Sequence, residues 1–191
     1  MRKLVLFMHT SLDSFVAGPK GEIDWILIDE KMFELTARLT DEADLALYGR
    51  VTFQLMESYW PTAGNKTNAT RHDIQHSTWY NKVSKIILSK TLKKEKLSNT
   101  IIISDNIIEE ITRIKHQTGK DILIFGSPSA SHSLMTENLI DDYWLLINPI
   151  FLGLGIPLFK GFKNKTKLKL IYSNIFPSGV VCLHYQIDHD R

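Results

Sequence analysis

Short apolar runs broken by glycine, proline and small polar residues recur along the chain, and stretches of helical spacing lie between them. The runs Leu4–Met8, Asp44–Tyr48, Lys85–Leu88, Thr100–Ile103, Ile122–Phe125 and Asp142–Ile150 have strand length; the last is apolar on both faces, as a central strand requires. A helix is predicted from Asp29 to about Asp41, where Met32, Phe33, Leu35 or Thr36, and Leu39 recur and Asp29 and Glu30 occupy the first turn. Others are predicted to begin at the turn after Tyr48, to cover Ile107–Gln117, and to run from Ser129 to about Asn138. Residues 61–81 are the least regular region and predict a loop with a short helix. Lys167–Asn174 and Gly179–Asp188 alternate around Pro177-Ser178-Gly179, the pattern of an antiparallel hairpin. Eight strands and about four helices, with β and α alternating first and antiparallel strands last, define an α/β fold in a single domain over residues 1–191.

Composition narrows the functions available. With 191 residues, 43% hydrophobic and 23% charged, the chain is long enough for one substantial core. Its 23 basic and 21 acidic residues give a net charge of +2, too little for a field that gathers nucleic acid or an anionic membrane. The single cysteine, Cys182, rules out an intrachain disulfide and a cysteine-rich zinc site, and its alternating context predicts a buried strand residue. Leu4–Met8 is too short for the core of a signal peptide. The longest uncharged run, Tyr143–Phe159, holds Asn148, Pro149, Gly153, Gly155 and Pro157, and so reads as a strand and turn rather than a spanning helix. A cytoplasmic location is expected.

Candidate chemistry collects where strands end. Ile122–Phe125 breaks at Gly126-Ser127-Pro128-Ser129 and enters a helix, a turn whose outward N–H groups and helix dipole suit a phosphate. Taken alone it reads first as an ordinary strand-to-helix connection, and only the other strand ends shift that reading. Asp44–Tyr48 runs into Gly49-Arg50-Val51-Thr52, where glycine permits close approach, arginine offers a planar fork of donors and threonine is placed to cap a helix. Lys85–Leu88 ends in Ser89-Lys90-Thr91, two hydroxyls and an ammonium that suit a phosphate monoester; the same residues also read as the start of a lysine-rich surface with Lys93, Lys94 and Lys96. Thr10–Trp25 is a long loop shaped by Gly18, Pro19 and Gly21 around Val16-Ala17, either a site cover or a surface meander. His72 and His76 have the i, i+4 spacing of a shared metal, but Asp73 replaces the glutamate of the zinc-protease motif and no third histidine follows. A solvated helix face accounts for them, the same bland role is assigned to His184 and His189, and no metal is predicted. Gly153-Leu154-Gly155 lacks the third glycine and the helix of a dinucleotide fingerprint and is discarded.

SLDSFVAG (11–18), Trp25, YGRVTF (48–53), LSKTL (88–92), ILIFGSPSASHSLM (122–135) and LIDDYWLLINPIFLGLGIPLF (139–159) together resemble the C-terminal reductase domain of bacterial riboflavin-biosynthesis deaminase-reductases, in particular its stand-alone members. The resemblance covers nearly the whole chain. It implies a dihydrofolate reductase-like fold, three α/β/α layers around a mostly parallel eight-stranded sheet with a C-terminal antiparallel hairpin, as well as a homodimer and NADPH as cofactor. By motif, Gly126, Ser127, Pro128, Ser129 and Ala130 would hold the pyrophosphate. Gly49, Arg50 and Thr52 would touch the phosphates and the adenosine side, Ser89, Lys90 and Thr91 would read the 2′-phosphate, and Ala17 and Trp25 would lie along the nicotinamide half.

The substrate side departs from the family pattern. Where the riboflavin enzyme has an acidic residue before the glycine turn, this chain has Phe125, and where it has a serine two residues before the tryptophan, this chain has Ile23. Asp29 or Glu30 stands roughly where a dihydrofolate reductase needs an acid, and Asp13, Asp24, Asp29 and Glu30 are the nearby carboxylates, each expected to be solvated. Two functions follow. One is a reductase passing hydride from NADPH to a small C=N or C=O compound, similar to 5-amino-6-(5-phosphoribosylamino)uracil reductase or to dihydrofolate reductase. The other is a nucleotide-binding or sensing protein that keeps the fold without turnover, favoured by the lost polar residues at Phe125 and Ile23.

Overall fold

The structure, a computed structural model, describes residues 1–92, 97–162 and 164–188; Lys93, Lys94, Lys96 and His189 lie outside the described residues. In chain order the elements are β1 (Leu4–Ser11), β2 (Phe15–Ala17), α1 (Glu30–Asp41), β3 (Ala43–Gly49), α2 (Arg50–Ala63), α3 (Arg71–Lys82), β4 (Ser84–Leu88), β5 (Thr100–Ile103), α4 (Ile107–Lys115), β6 (Asp121–Phe125), α5 (Pro128–Thr136), β7 (Asp142–Asn148), β8 (Ile156–Pro157), β9 (Leu168–Ile175) and β10 (Val181–Ile187).

Eight strands form one sheet in the order β5-β4-β3-β6-β1-β7-β10-β9. The first six are mutually parallel, and the terminal hairpin adds β10 and β9 antiparallel at one edge. Strand alternation sends side chains to two cores. Leu4, Leu6, Leu47, Ile122 and Ile124 pack under α4 and α5 with Ile111, Ile114, Leu134 and Met135. Val5, Phe7, Ala46, Leu123 and Phe125 pack under α1, α2 and α3 with Met32, Leu35, Phe53 and Tyr80. The result is three layers with a dihydrofolate reductase-like fold. Cys182 is fully buried on β10, and burial pushes its thiol up to about 11.

Three expectations change. The Thr10–Trp25 loop contains β2, which pairs with β8 to make a separate two-stranded sheet. Helix α2 continues through Pro61 rather than stopping before it. It is held from outside: Asn81 Nδ2 donates to the Pro61 carbonyl at 3.1 Å, Tyr80 donates to Glu57 at 2.7 Å and Tyr59 to Asp73 at 3.0 Å. Third, α3 is a full 12-residue helix opened by a capping box between Thr70 and Asp73, so five helices replace about four.

The histidine pair on α3 is also not a solvated face. His76 is buried, its ring 5.6 Å from Phe125 and 4.1 Å from Trp60, and His72 stacks on Phe33 of α1 at 3.8 Å. His184 is buried as well, stacked on Trp144 at 4.1 Å. Aromatic packing against neighbouring elements, invisible in a single helix or strand, draws these rings inward.

Candidate functional site

The C-terminal ends of β3, β4, β5 and β6 open onto a cleft of about 440 Å³. Strand ends at a change in strand order are where open α/β sheets place ligands, because successive connections diverge there to opposite faces. Gly49, Arg50 and Thr52 line it from the β3–α2 junction, Ser89, Lys90 and Thr91 from the end of β4, and Ser127, Pro128, Ser129 and Ala130 from the β6–α5 turn. Ten sequence-predicted residues thus face one space although they come from three distant segments. Gly126 lies immediately behind the turn at φ 54°, which favours glycine. Ala17 pairs with Ile156, and Ile156 lines the cleft. Trp25 does not line it; its Nε1 donates to the Glu22 carbonyl at 3.1 Å.

Electrostatically the cleft suits a polyanion. Arg50 is exposed with its guanidinium held toward Gln54 at 3.1 Å, Lys90 is exposed, and the N-termini of α2 and α5 both begin at its wall. Ser89 Oγ accepts the N–H groups of Thr91 and Leu92 at 3.2 and 3.0 Å, a local turn that fixes the Ser89–Thr91 segment. The glycine expected to permit close approach is not required by packing at Gly49: a Cβ there would sit 3.7 Å from Ala130 Cβ and 3.8 Å from Ser127 Cβ, ordinary van der Waals contact. One assigned role changes. Thr52 does not cap α2, whose start at Gly49 has no side-chain cap; its Oγ1 accepts the Ser127 N–H at 3.1 Å instead.

The carboxylates expected to be solvated divide into two groups. Asp13 accepts from the Ser11 hydroxyl at 2.6 Å and from Leu152 and Gly153 N–H at 3.1 and 2.8 Å, and these bonds, Ser11 foremost, hold it below the usual carboxylate range. Asp29 caps α1 and accepts from the Ser178 hydroxyl at 2.7 Å; burial opposes its charge, but these bonds outweigh burial and lower its pKa. Both are braces between segments. Asp24, Glu30 and Ile23 are exposed. Phe125 is a core residue, with Phe7 at 5.6 Å, Trp79 at 5.7 Å and Tyr48 stacked on it at 6.5 Å. Among the described residues, no group of three or more His, Cys, Asp or Glu is placed to hold a metal ion.

Sequence reading missed several lining or supporting residues. Ser104 and Ser133 line the cleft, and Ser104 follows a strand end as Ser89 does, so the same sequence signal marks both. In sequence Asn148 is visible only as a break in an apolar run. It accepts the Leu27 N–H at 2.9 Å and donates to the Thr10 and Leu146 carbonyls at 3.2 and 3.1 Å, tying the long loop to the ends of β1 and β7. Beside it lies His9, on the face of β1 shared with Phe7, which burial alone pushes down to about 4 and so keeps neutral at physiological pH.

A mostly parallel sheet with small, cationic and hydroxyl residues gathered at its strand ends defines an α/β protein whose strand-end cleft suits an anionic ligand. The chain belongs to the RibD C-terminal domain family, whose model matches residues 2–182. It is similar to the uncharacterized protein YyaP of Bacillus subtilis strain 168, 34% identical over 184 residues that make up 96% of this chain and 94% of that protein. A second protein of that organism, the uncharacterized YwjB, is 28% identical over 187 residues, 96% of this chain and 97% of YwjB. Among solved structures, a putative riboflavin biosynthesis protein from Shewanella sp. PV-4 matches with a TM-score of 0.73 at 19% identity, covering 98% of this chain and 99% of that one. A pyrimidine reductase-like protein from Corynebacterium diphtheriae matches with a TM-score of 0.69 at 17% identity, over 99% of this chain and 93% of that one. No helix among the described residues is long and apolar enough to cross a membrane.

Proposed function

We propose that the chain is an NADPH-dependent reductase acting on a small C=N or C=O compound. The observation that carries this reading is the convergence of Arg50, Lys90 and the two helix starts on one cleft. Such a donor set fits a ligand with several phosphates, one of them a monoester. Bound, NADPH supplies the hydride; the protein orients it and excludes water. In this reading Arg50 and Lys90 pair with phosphate oxygens, Ser129 and Ala130 offer N–H groups, and the β2–β8 ribbon, with Ala17 backing Ile156, walls the cleft beyond α5. The test is nucleotide affinity in the Arg50→Ala and Lys90→Ala variants. Each loses a charge-assisted contact worth about 1.5–3 kcal/mol, so NADPH affinity falls roughly ten- to hundredfold while NADH affinity changes little. Equal losses for both nucleotides would remove the assigned 2′-phosphate contact.

We also propose that two copies associate through the terminal hairpin. On one face His184 stacks on Trp144, with Tyr172 beside it 42% exposed; on the other, Leu168, Leu170 and Ile175 are 43%, 49% and 73% exposed beside half-buried Val181, Leu183, Tyr185 and Ile187. That face carries no charge, so an identical face meets it without repulsion, and two copies would bury on the order of 1,000 Å², the lower limit of a specific interface. Light scattering on Leu170→Asp tests it: the variant should have half the native mass, and an unchanged mass would refute this surface.

A further inference from the structure

We propose that Ser127 is a positioning residue that staples the two phosphate-facing walls of the cleft together. The proposal rests on the cleft being the nucleotide site. Ser127 sits at φ 58°, ψ 54°, a left-handed conformation that favours glycine, yet the position holds a side chain that is 3% exposed. The structure shows what that side chain does. Its Oγ donates to the Phe125 carbonyl at 3.0 Å and accepts the Gly49 N–H at 3.0 Å, while its own N–H donates to Thr52 Oγ1 at 3.1 Å. Two of these bonds join the β6–α5 turn to the β3–α2 junction, across 78 and 75 residues of chain. Glycine would satisfy the backbone but could make only the Thr52 bond.

The staple also decides which donors remain for an anion. Gly49 and Ser127 N–H are engaged inside the protein, and Pro128 has none. The N–H groups of Ser129 and Ala130 at the start of α5, and of Arg50, Val51 and Thr52 at the start of α2, have no acceptor within their helices. Phosphate oxygens are therefore held between two helix starts whose separation the staple sets. Small errors in that separation cost affinity because both sets of donors must reach one ligand.

The experiment compares Ser127→Gly, Thr52→Val and Thr52→Ser with the native chain. Ser127→Gly relieves the backbone while cutting the Oγ bonds, so its melting temperature stays within about 3 °C of native, yet its Kd for NADPH rises at least tenfold. Thr52→Val weakens NADPH similarly, and Thr52→Ser restores it. In the ligand-free protein, amide exchange at Gly49 accelerates at least tenfold in Ser127→Gly while Leu47 and Ile124 keep their protection. Native NADPH affinity in Ser127→Gly overturns the proposal, as does a parallel fall of affinity and melting temperature, which would mark a merely structural role. If the native chain binds no NADPH, the reductase reading fails, and exchange at Gly49 alone decides whether the staple exists.

Discussion

Replacing Phe125 by alanine separates two accounts of this position. If it is a core residue, as its 6% exposure indicates, the change removes a ring packed on Phe7, Tyr48, His76 and Trp79. Burial and cavity together cost about 3–5 kcal/mol for such a truncation. Four aromatic neighbours put this site near the upper end, about 4 kcal/mol, because edge and stacked contacts add to area. For a chain of this length that lowers the melting temperature by roughly 8–16 °C, from a total stability of about 5–15 kcal/mol. Phe125→Leu keeps most of the volume and costs about 1–1.5 kcal/mol. Urea titration followed by far-ultraviolet circular dichroism measures both. Phe125 does not line the cleft, so NADPH affinity in the leucine variant should stay within about twofold of native. A loss below 1 kcal/mol in the alanine variant, or a leucine variant that folds normally and binds NADPH ten times more weakly, would refute the assignment.

The other predictions concern the ribbon and the buried histidine. A Cβ at Gly155 would stand within van der Waals overlap of the Ala17 carbonyl, so Gly155→Ala should part β2 from β8 and weaken NADPH several-fold with little change in urea midpoint; native affinity by titration calorimetry would count against the ribbon as a cleft wall. For His76, burial first and His72 next push the imidazole down to about 3, against the pull of Asp73. A folded pKa below the unfolded value means its stabilisation is complete above about pH 6.5 and is lost progressively as pH falls toward 3, with a slope of at most about 1.4 kcal/mol per pH unit. His76→Phe should flatten the stability profile between pH 6.5 and 4 by up to one proton, and identical slopes in the two proteins would exclude His76 as its source.

The parallel strands were readable because each is a compact apolar run ended by its own punctuation, as at Gly49 and Gly126. What could not be read depended on distant partners. β2 and β8 have three and two residues, and nothing in Phe15–Ala17 announces pairing with a segment some 140 residues later. Pro61 is a valid local stop signal, overridden here by Asn81 and Tyr80 from the next helix. The i, i+4 spacing of His72 and His76 is that of the helix they occupy, but their exposure depends on Phe33, Trp60 and Phe125 from three other elements.

The same logic explains why the cleft was legible and the opposite face was not. Along β6, Ile122 and Ile124 point toward α4 and α5, while Leu123 and Phe125 point toward α1, α2 and α3. The cleft is walled by α5 and the strand-end turns, so its small and cationic residues come from short local segments whose chemistry is visible in sequence. Phe125 is adjacent to that turn in the chain but faces away from it, because successive strand residues point to opposite sides. A change from acid to phenylalanine there alters the aromatic core beneath α3 and leaves the cleft-facing turn intact. Similarity at Gly126 through Ala130 and departure at Phe125 are therefore compatible, because the turn faces the cleft and the ring faces the aromatic core on the other side of the sheet.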